Sequence, residues 1–404
     1  MSATDPTGTN LPLLRLEDPD TWHELHGHLA KVRAASPFAV TESGLKMAMR
    51  YVDVESVLRS NAFEFGDLIA AVGTTSGTFY NWWHQTISSY NPPDHTRLRR
   101  LLGGAFTPKR VNPLRATIEQ ITDEALNVCL DRGAMDINDF AHVLPMRVMA
   151  TLLGIPSSEH ARYEELTILV GAGFSPATAG NPELSGRVNA AVTELYEYSR
   201  EVVARKHREP GPDLISALVE ERDGADRLTD DEVVNHIIFM LFAGHDTTRG
   251  ALSIASMLLA THPDQTQLIR EDPTRARDAV DEVMRYESTV TFTTRQPLED
   301  VEISGVHLPK GVPVGVCLAS AARDTQGMPD AGTFDILRKE KRAISFGSGI
   351  HFCLGANLAR AEIEIAIRAL ATRTSGIALD GEPSWHPFKN VRGFDSLPLT
   401  LKAS

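Results

Sequence analysis

Apolar residues recur at helical spacing through most of the first two thirds of the chain. The spacing predicts a helix over Leu114–Asp131, ended by Gly133, and another over Leu184–His207, stopped before Pro210. The longest helical pattern starts near Thr229, where Thr229 and Glu232 have the spacing of a capping box. It runs to about Thr261, where His262-Pro263 stops it. At 1.5 Å per residue this helix is roughly 45–50 Å long. Ile237–Ala243 is apolar on most sides, so the helix is expected to be central. Over Arg295–Cys317 the pattern changes to short apolar runs broken by Gly305, Pro309, Gly311 and Pro313, which is strand-and-turn chemistry. Helical spacing returns over Leu354–Ala371. No repeat, low-complexity stretch or long linker is visible. The expectation is a mainly α protein with a smaller β-rich region, one domain over residues 1–404, with about the first 20 residues a loosely ordered tail.

Composition narrows the class. Of 404 residues 42% are apolar and 23% charged, which fits a folded globular chain and excludes a disordered one. The formal net charge of −13 argues against nucleic acid as a partner, since that affinity rests on neutralising phosphates. The three cysteines, Cys129, Cys317 and Cys353, are far apart and imply no disulfide framework, as expected in a reducing cytoplasm. Met1–Ala30 is polar and reads as neither signal peptide nor membrane anchor. The long helix is not a membrane span, because Asp246 and Arg249 lie in its middle.

The densest chemical signal is Phe346-Gly347-Ser348-Gly349-Ile350-His351-Phe352-Cys353-Leu354-Gly355, followed at once by a helix. Its glycines imply tight turns or close approach. A cysteine at a helix start has its thiolate favoured, for use as nucleophile or metal ligand. Cys129 and Cys317 lack this setting and read as small buried hydrophobes. A phosphatase-type nucleophile fits poorly, because Phe352 separates His351 from Cys353 and six residues precede Arg360. Zinc fits poorly too, since no second Cys or His follows at ligand spacing.

Three further clusters stand out. Glu282 and Arg285 share a helix face and can pair, but Glu159/Arg162 and Glu197/Arg200 have the same spacing. Ala243-Gly244-His245-Asp246-Thr247-Thr248 places polar groups and a glycine inside an apolar helix, where a threonine bonded back to a carbonyl is the plain alternative. Pro92-Pro93-Asp94 opens a helix carrying His95 and Arg99 on one face, readable also as ordinary basic surface.

The cysteine loop resembles the haem-thiolate loop of the cytochromes P-450, Phe-x-x-Gly-x-x-x-Cys-x-Gly, and Phe346, Gly349, His351, Cys353 and Gly355 satisfy it. The resemblance spans about Leu25 to Leu401 and is to the soluble bacterial branch. It implies the cytochrome P-450 fold, haem b as cofactor and Cys353 as proximal iron ligand. Glu282 and Arg285, with Arg338, become a structural cluster. His95, Arg99, Arg295 and His351 become propionate contacts. Asp246 and Thr247 become the acid–alcohol pair, Thr247 holding the oxygen being activated and Asp246 relaying protons, while Ala243 and Gly244 leave room beside the haem. The segment holding Phe79, Tyr80, Trp82 and Trp83 becomes a loop over the substrate, with Trp82, Trp83, Phe239, Phe242, Val290 and Phe292 as pocket candidates. Two departures concern packing only: Ala321-Ala322-Arg323-Asp324 lacks the Asn many relatives have before Arg-Asp, and Arg342 stands where many have His.

The implied activity is insertion of one atom of O2 into an apolar small molecule. Electrons would come from NAD(P)H through a reductase and a ferredoxin. Asp94–Arg110 carries five Lys/Arg against one acid and is the expected ferredoxin face. A cytoplasmic monomer is expected. Peroxide-driven oxidation and a non-catalytic haem protein are the alternatives.

Overall fold

The capping box forms as read: the Thr229 hydroxyl accepts from the Glu232 amide, and the Glu232 carboxylate accepts from the Thr229 amide. The helix it starts, Asp230–Thr261, has 32 residues and stops at His262. In the computed structural model the described residues are 3–4, 10–16, 18–220, 222–223, 226–341, 343–386 and 390–404. Arg342 lies outside them. The chain divides into two compact units. One comprises Met1–Leu68, Arg277–Cys353 and Ser384–Asp395; the other comprises Ile69–Ala276, Leu354–Pro383 and Ser396–Ser404. Each is assembled from separate stretches, so no linker marks a boundary in the sequence.

The first unit is built on a six-stranded sheet. Its strands are β1 (Leu13–Leu14), β2 (Phe38–Thr41), β3 (Lys46–Ala48), β4 (Phe63–Phe65), β5 (Phe292–Pro297) and β6 (Val314–Cys317). Their order across the sheet is β1-β2-β3-β6-β5-β4. β5 runs antiparallel to both neighbours, with Phe292 opposite Cys317 and Arg295 opposite Phe65. Alternation along the strands feeds two apolar clusters. Phe38, Ala48 and Val316 join one, and Ala39, Met47 and Cys317 the other. Burial on both faces explains why β2 and β6 read as continuous apolar runs. Within the stretch expected as a loosely ordered tail, Leu11 and Leu14 are buried, and β1 pairs with β2. Two leucines at sheet positions supply the apolar burial that holds this stretch.

The second unit is helical. Its helices α1 (Thr78–Trp83), α2 (Asp94–Gly103), α3 (Arg115–Arg132), α4 (Val143–Leu153), α5 (His160–Ala172), α6 (Pro182–Arg208), α7 (Asp230–Thr261) and α8 (Ala356–Arg373) surround α7 or pack on its neighbours. α3 ends at Gly133 in the left-handed region, as its sequence predicts. A three-stranded sheet joins Thr374–Leu379, Pro398–Ala403 and Ala134–Asp136. Cys129 and Cys317 are buried and packed, and burial pushes both thiols up to about 11. Among the described residues no helix is long and apolar enough to cross a membrane.

Candidate active site

The cysteine loop closes on itself in the first unit. The Cys353 amide donates to the Phe346 carbonyl at 2.9 Å, and the Gly347 amide to the Ile344 carbonyl at 2.8 Å. A one-turn helix, Gly349–His351, lies between. Gly349 is required twice over. Its φ is +71°, and a Cβ there would stand 2.4 Å from the Leu58 carbonyl oxygen. Phe346 is buried with its ring 6.3 Å from that of Phe352, while Cys353 is half-buried. Gly355 caps α8, and a Cβ on it would meet no protein atom within 4 Å. The Ser345 hydroxyl donates to the Met284 carbonyl and ties the loop to the Ala276–Tyr286 helix.

That helix carries the Glu–Arg pair. Glu282 and Arg285 are both 0% exposed and joined by two bonds of 2.7 Å. Arg285 also donates to the carbonyls of Ala322, Ala331 and Thr333, and Glu282 accepts from the Asp335 amide. Arg338 adds a contact of 3.4 Å to Glu282. The expected three-residue cluster is thus formed, with its charges compensated by fixed donors and acceptors as burial demands.

Arg295 sits in β5 at 5% exposure. It donates to the neighbouring Thr294 carbonyl, its guanidinium lies 5.2 Å over the Phe65 ring, and no carboxylate among the described residues pairs with it. Burial pushes its pKa down to about 10. The His351 ring lies 5.2 Å from the same Phe65 ring. A buried guanidinium with no carboxylate, sharing the Phe65 ring with a histidine two residues before a half-buried cysteine, suits a group bearing both a metal and carboxylates. Haem is such a group, so these residues fit it.

The remaining candidates, apart from Val290 and Phe292, lie in the second unit. In α7 the Thr247 hydroxyl donates to the Ala243 carbonyl at 2.7 Å. Asp246 pairs with Arg249 at 2.8 Å, and Arg249 donates also to His142. A Cβ on Gly244 would stand 2.7 Å from the Met149 sulfur, so this glycine admits close packing of α4, a reason its sequence does not reveal. His95 is buried in α2, its pKa lowered by burial and by the half-buried Arg99. The basic stretch is partly neutralised: Arg97 pairs with Glu232 and Asp226, and Arg100 with Asp226, leaving Lys109 and Arg110 exposed.

The segment expected as a loop over the substrate is helix α1. Burial of Phe79, Trp82 and Trp83 on one face overrides the weak helix propensity of aromatics. Trp83, Phe174 and Phe242 form one aromatic cluster, Phe174 stacking on Phe242 at 4.6 Å and meeting Trp83 edge-on at 4.9 Å. Phe239 touches Trp83, and Trp82 is fully buried and donates to the Asn235 carbonyl. Phe174 escaped the sequence reading because it follows α5 with no pattern around it. Val290 and Phe292 belong to the first unit, Val290 packed against one of its apolar clusters and Phe292 against the other.

Comparison with known proteins adds to this geometry. The protein-family model for Cytochrome P450 matches residues 182–373. Luteothin monooxygenase of Streptomyces thioluteus is 35% identical, over 99% of this chain and 98% of its own. The 6-deoxyerythronolide B hydroxylase of Saccharopolyspora erythraea is 37% identical over 80% of this chain and 79% of its own. Among solved structures, CalO2 aligns with a TM-score of 0.88 at 29% identity, covering 100% of both chains. P450BioI, solved with hexadec-9Z-enoic acid ligated acyl carrier protein, aligns at 0.89 and 28%, covering 95% of this chain and 99% of its own. With its cysteine loop, its buried Glu–Arg cluster and relatives that match it end to end, the chain belongs to the cytochrome P450 family of haem-dependent monooxygenases.

Proposed function

We propose that the chain hydroxylates a sizeable apolar small molecule, using O2 and electrons passed from NAD(P)H through a reductase and a ferredoxin. The observation that carries the residue assignment is the cysteine loop, which holds a half-buried Cys353 by its own amide bond to Phe346. Haem, when bound, supplies the oxygen-activating chemistry. Cys353 would ligate its iron as thiolate, with Phe346 shielding the sulfur. Arg295 and His351 would neutralise propionates, as would His95 and Arg99. Ala243, Gly244, Gly349 and Gly355 would line the haem.

Asp246 and Thr247 handle protons in this reading. The Thr247 hydroxyl donates to a carbonyl of its own helix, so its oxygen lone pairs remain to accept from a neighbour. Asp246 keeps one carboxylate oxygen on Arg249, which orients it. The pair supports the O2 route over the peroxide-driven one. The aromatic cluster of Trp83, Phe174, Phe239 and Phe242 excludes water and offers an apolar wall, with Trp82 supporting it. The substrate class is supported by the relatives' names, which include a 6-deoxyerythronolide B hydroxylase and a vitamin D(3) 25-hydroxylase 38% identical. Lys109 and Arg110 are the exposed cations for an acidic ferredoxin. A reducing compartment suits the three free cysteines, and we read the working form as a cytoplasmic monomer.

The test is the absorption spectrum of the reduced, carbon monoxide-treated holoenzyme. The long-wavelength Soret band of thiolate ligation is expected in the parent and absent in Cys353→Ala. A thiolate band retained in that variant would remove Cys353 as ligand.

A further inference from the structure

Three helices of the second unit bring two histidines and a glutamate together. His142 precedes α4, Glu164 lies on α5 and His245 on α7. One donor atom from each lies within 4.8 Å of the others. His142 Nδ1 is 3.3 Å from Glu164 Oε1, and the two imidazole rings meet edge-on at 5.9 Å. His245 is 1% exposed, yet its Nε2 has no hydrogen-bond partner, an expensive state for a buried ring nitrogen. The side chains of His142 and Glu164 are 20% and 34% exposed, which gives an ion a way in.

We infer that His142, Glu164 and His245 form a second metal site, for a divalent transition ion of the Zn2+ type. Two imidazoles and one carboxylate are the donor set such ions take, with water in the fourth position, whereas Ca2+ and Mg2+ prefer all-oxygen shells. Metal–donor bonds of about 2.0–2.1 Å set donors roughly 3.3 Å apart around a tetrahedron. His142 and Glu164 already stand at that separation, so the inward movement falls on His245.

Arg249 bears on the site as well. Its guanidinium donates to His142 Nε2 at 2.8 Å, which leaves the Nδ1 proton for Glu164. A metal on Nδ1 displaces that proton, Nε2 becomes a donor, and Arg249 withdraws to its other partner, Asp246. Counting Glu164, Asp246 and Arg249, the surroundings carry one net negative charge, which favours a cation. The ion would clamp α5 and the start of α4 to α7 one residue from Asp246.

Haem-loaded enzyme is stripped with chelator, exposed to Zn2+ and gel-filtered, then zinc and haem iron are counted by mass spectrometry, with affinity read by calorimetry. One zinc per chain is expected beyond iron. His245→Asn and Glu164→Gln should each weaken binding at least about tenfold, the scale of lost metal-site contacts. Glu164→Gln alters a partly exposed side chain and serves if the buried variant fails to fold. No retained zinc in the parent, or affinity unchanged in a folded variant, overturns the site.

Discussion

At the scale of single residues, burial decides which charges matter. Glu282/Arg285 and Glu159/Arg162 have the same spacing, but Arg162 turns to Glu194 and Glu165 on the surface while Arg285 closes a buried cluster. Spacing alone therefore could not rank them; only the resemblance did. Cys353 was legible because cysteine, glycines and helix start fall within ten consecutive residues. His142, Glu164 and His245 were not, because three separate helices bring them together. Thr247→Ala should lower product formed per NAD(P)H at least about tenfold, with electrons diverted to hydrogen peroxide, on the scale of a lost proton-transfer group. Unchanged coupling would remove Thr247 from proton handling. His236 makes a different prediction. It is fully buried, donates from Nδ1 to the Glu232 carbonyl and accepts at Nε2 from the Ile87 amide. Burial pushes its pKa from 6.5 down to about 4. The folded state holds it neutral, so this stability is complete above pH 6.5 and is lost as pH falls toward 4. The loss approaches about 3 kcal/mol at 1.36 kcal/mol per pH unit. Unfolding melts across that range should show the fall, with a shallower slope in His236→Gln.

At the scale of elements, local rules were followed except where packing overrode them. The start of α7 was readable to the residue because a capping box is a local device. Helix α1 was missed because its stability comes from tertiary burial of aromatics rather than from propensity. Trp82→Ala, which empties a fully buried position, should cost about 3–5 kcal/mol by denaturant unfolding. A loss under 1 kcal/mol would show that α1 is not anchored there. Breaking the buried cluster with Glu282→Ala should cost a similar 3–5 kcal/mol, since Arg285 would be left buried without its carboxylate. A parent-like unfolding midpoint would contradict it.

At the scale of the whole molecule, a surface of net charge −13 makes any exposed cations conspicuous to an acidic partner. The sequence shows five basic residues between Asp94 and Arg110, but the fold leaves them unequal. Arg100 is exposed but already paired with Asp226, whereas Lys109 and Arg110 are exposed with no ion pair among the described residues. Reversal of Lys109 and Arg110 to Glu should slow reduction by ferredoxin and flatten its salt dependence, read by stopped-flow. Arg100→Glu should do less. Equal effects, or none, would place the docking face elsewhere.

The interleaving of the two units has a consequence for recombination. The chain leaves and re-enters each unit, with boundaries at Leu68, Ala276, Cys353, Pro383 and Asp395. A gene chimera with a relative made at one crossover must therefore mix parental sequence inside at least one unit. Exchanging a unit intact takes several coordinated crossovers. One of them falls directly after Cys353, inside the loop that carries the proposed ligand. Libraries built from single crossovers should lose folded members sharply, while those that exchange whole units at all five junctions should keep them.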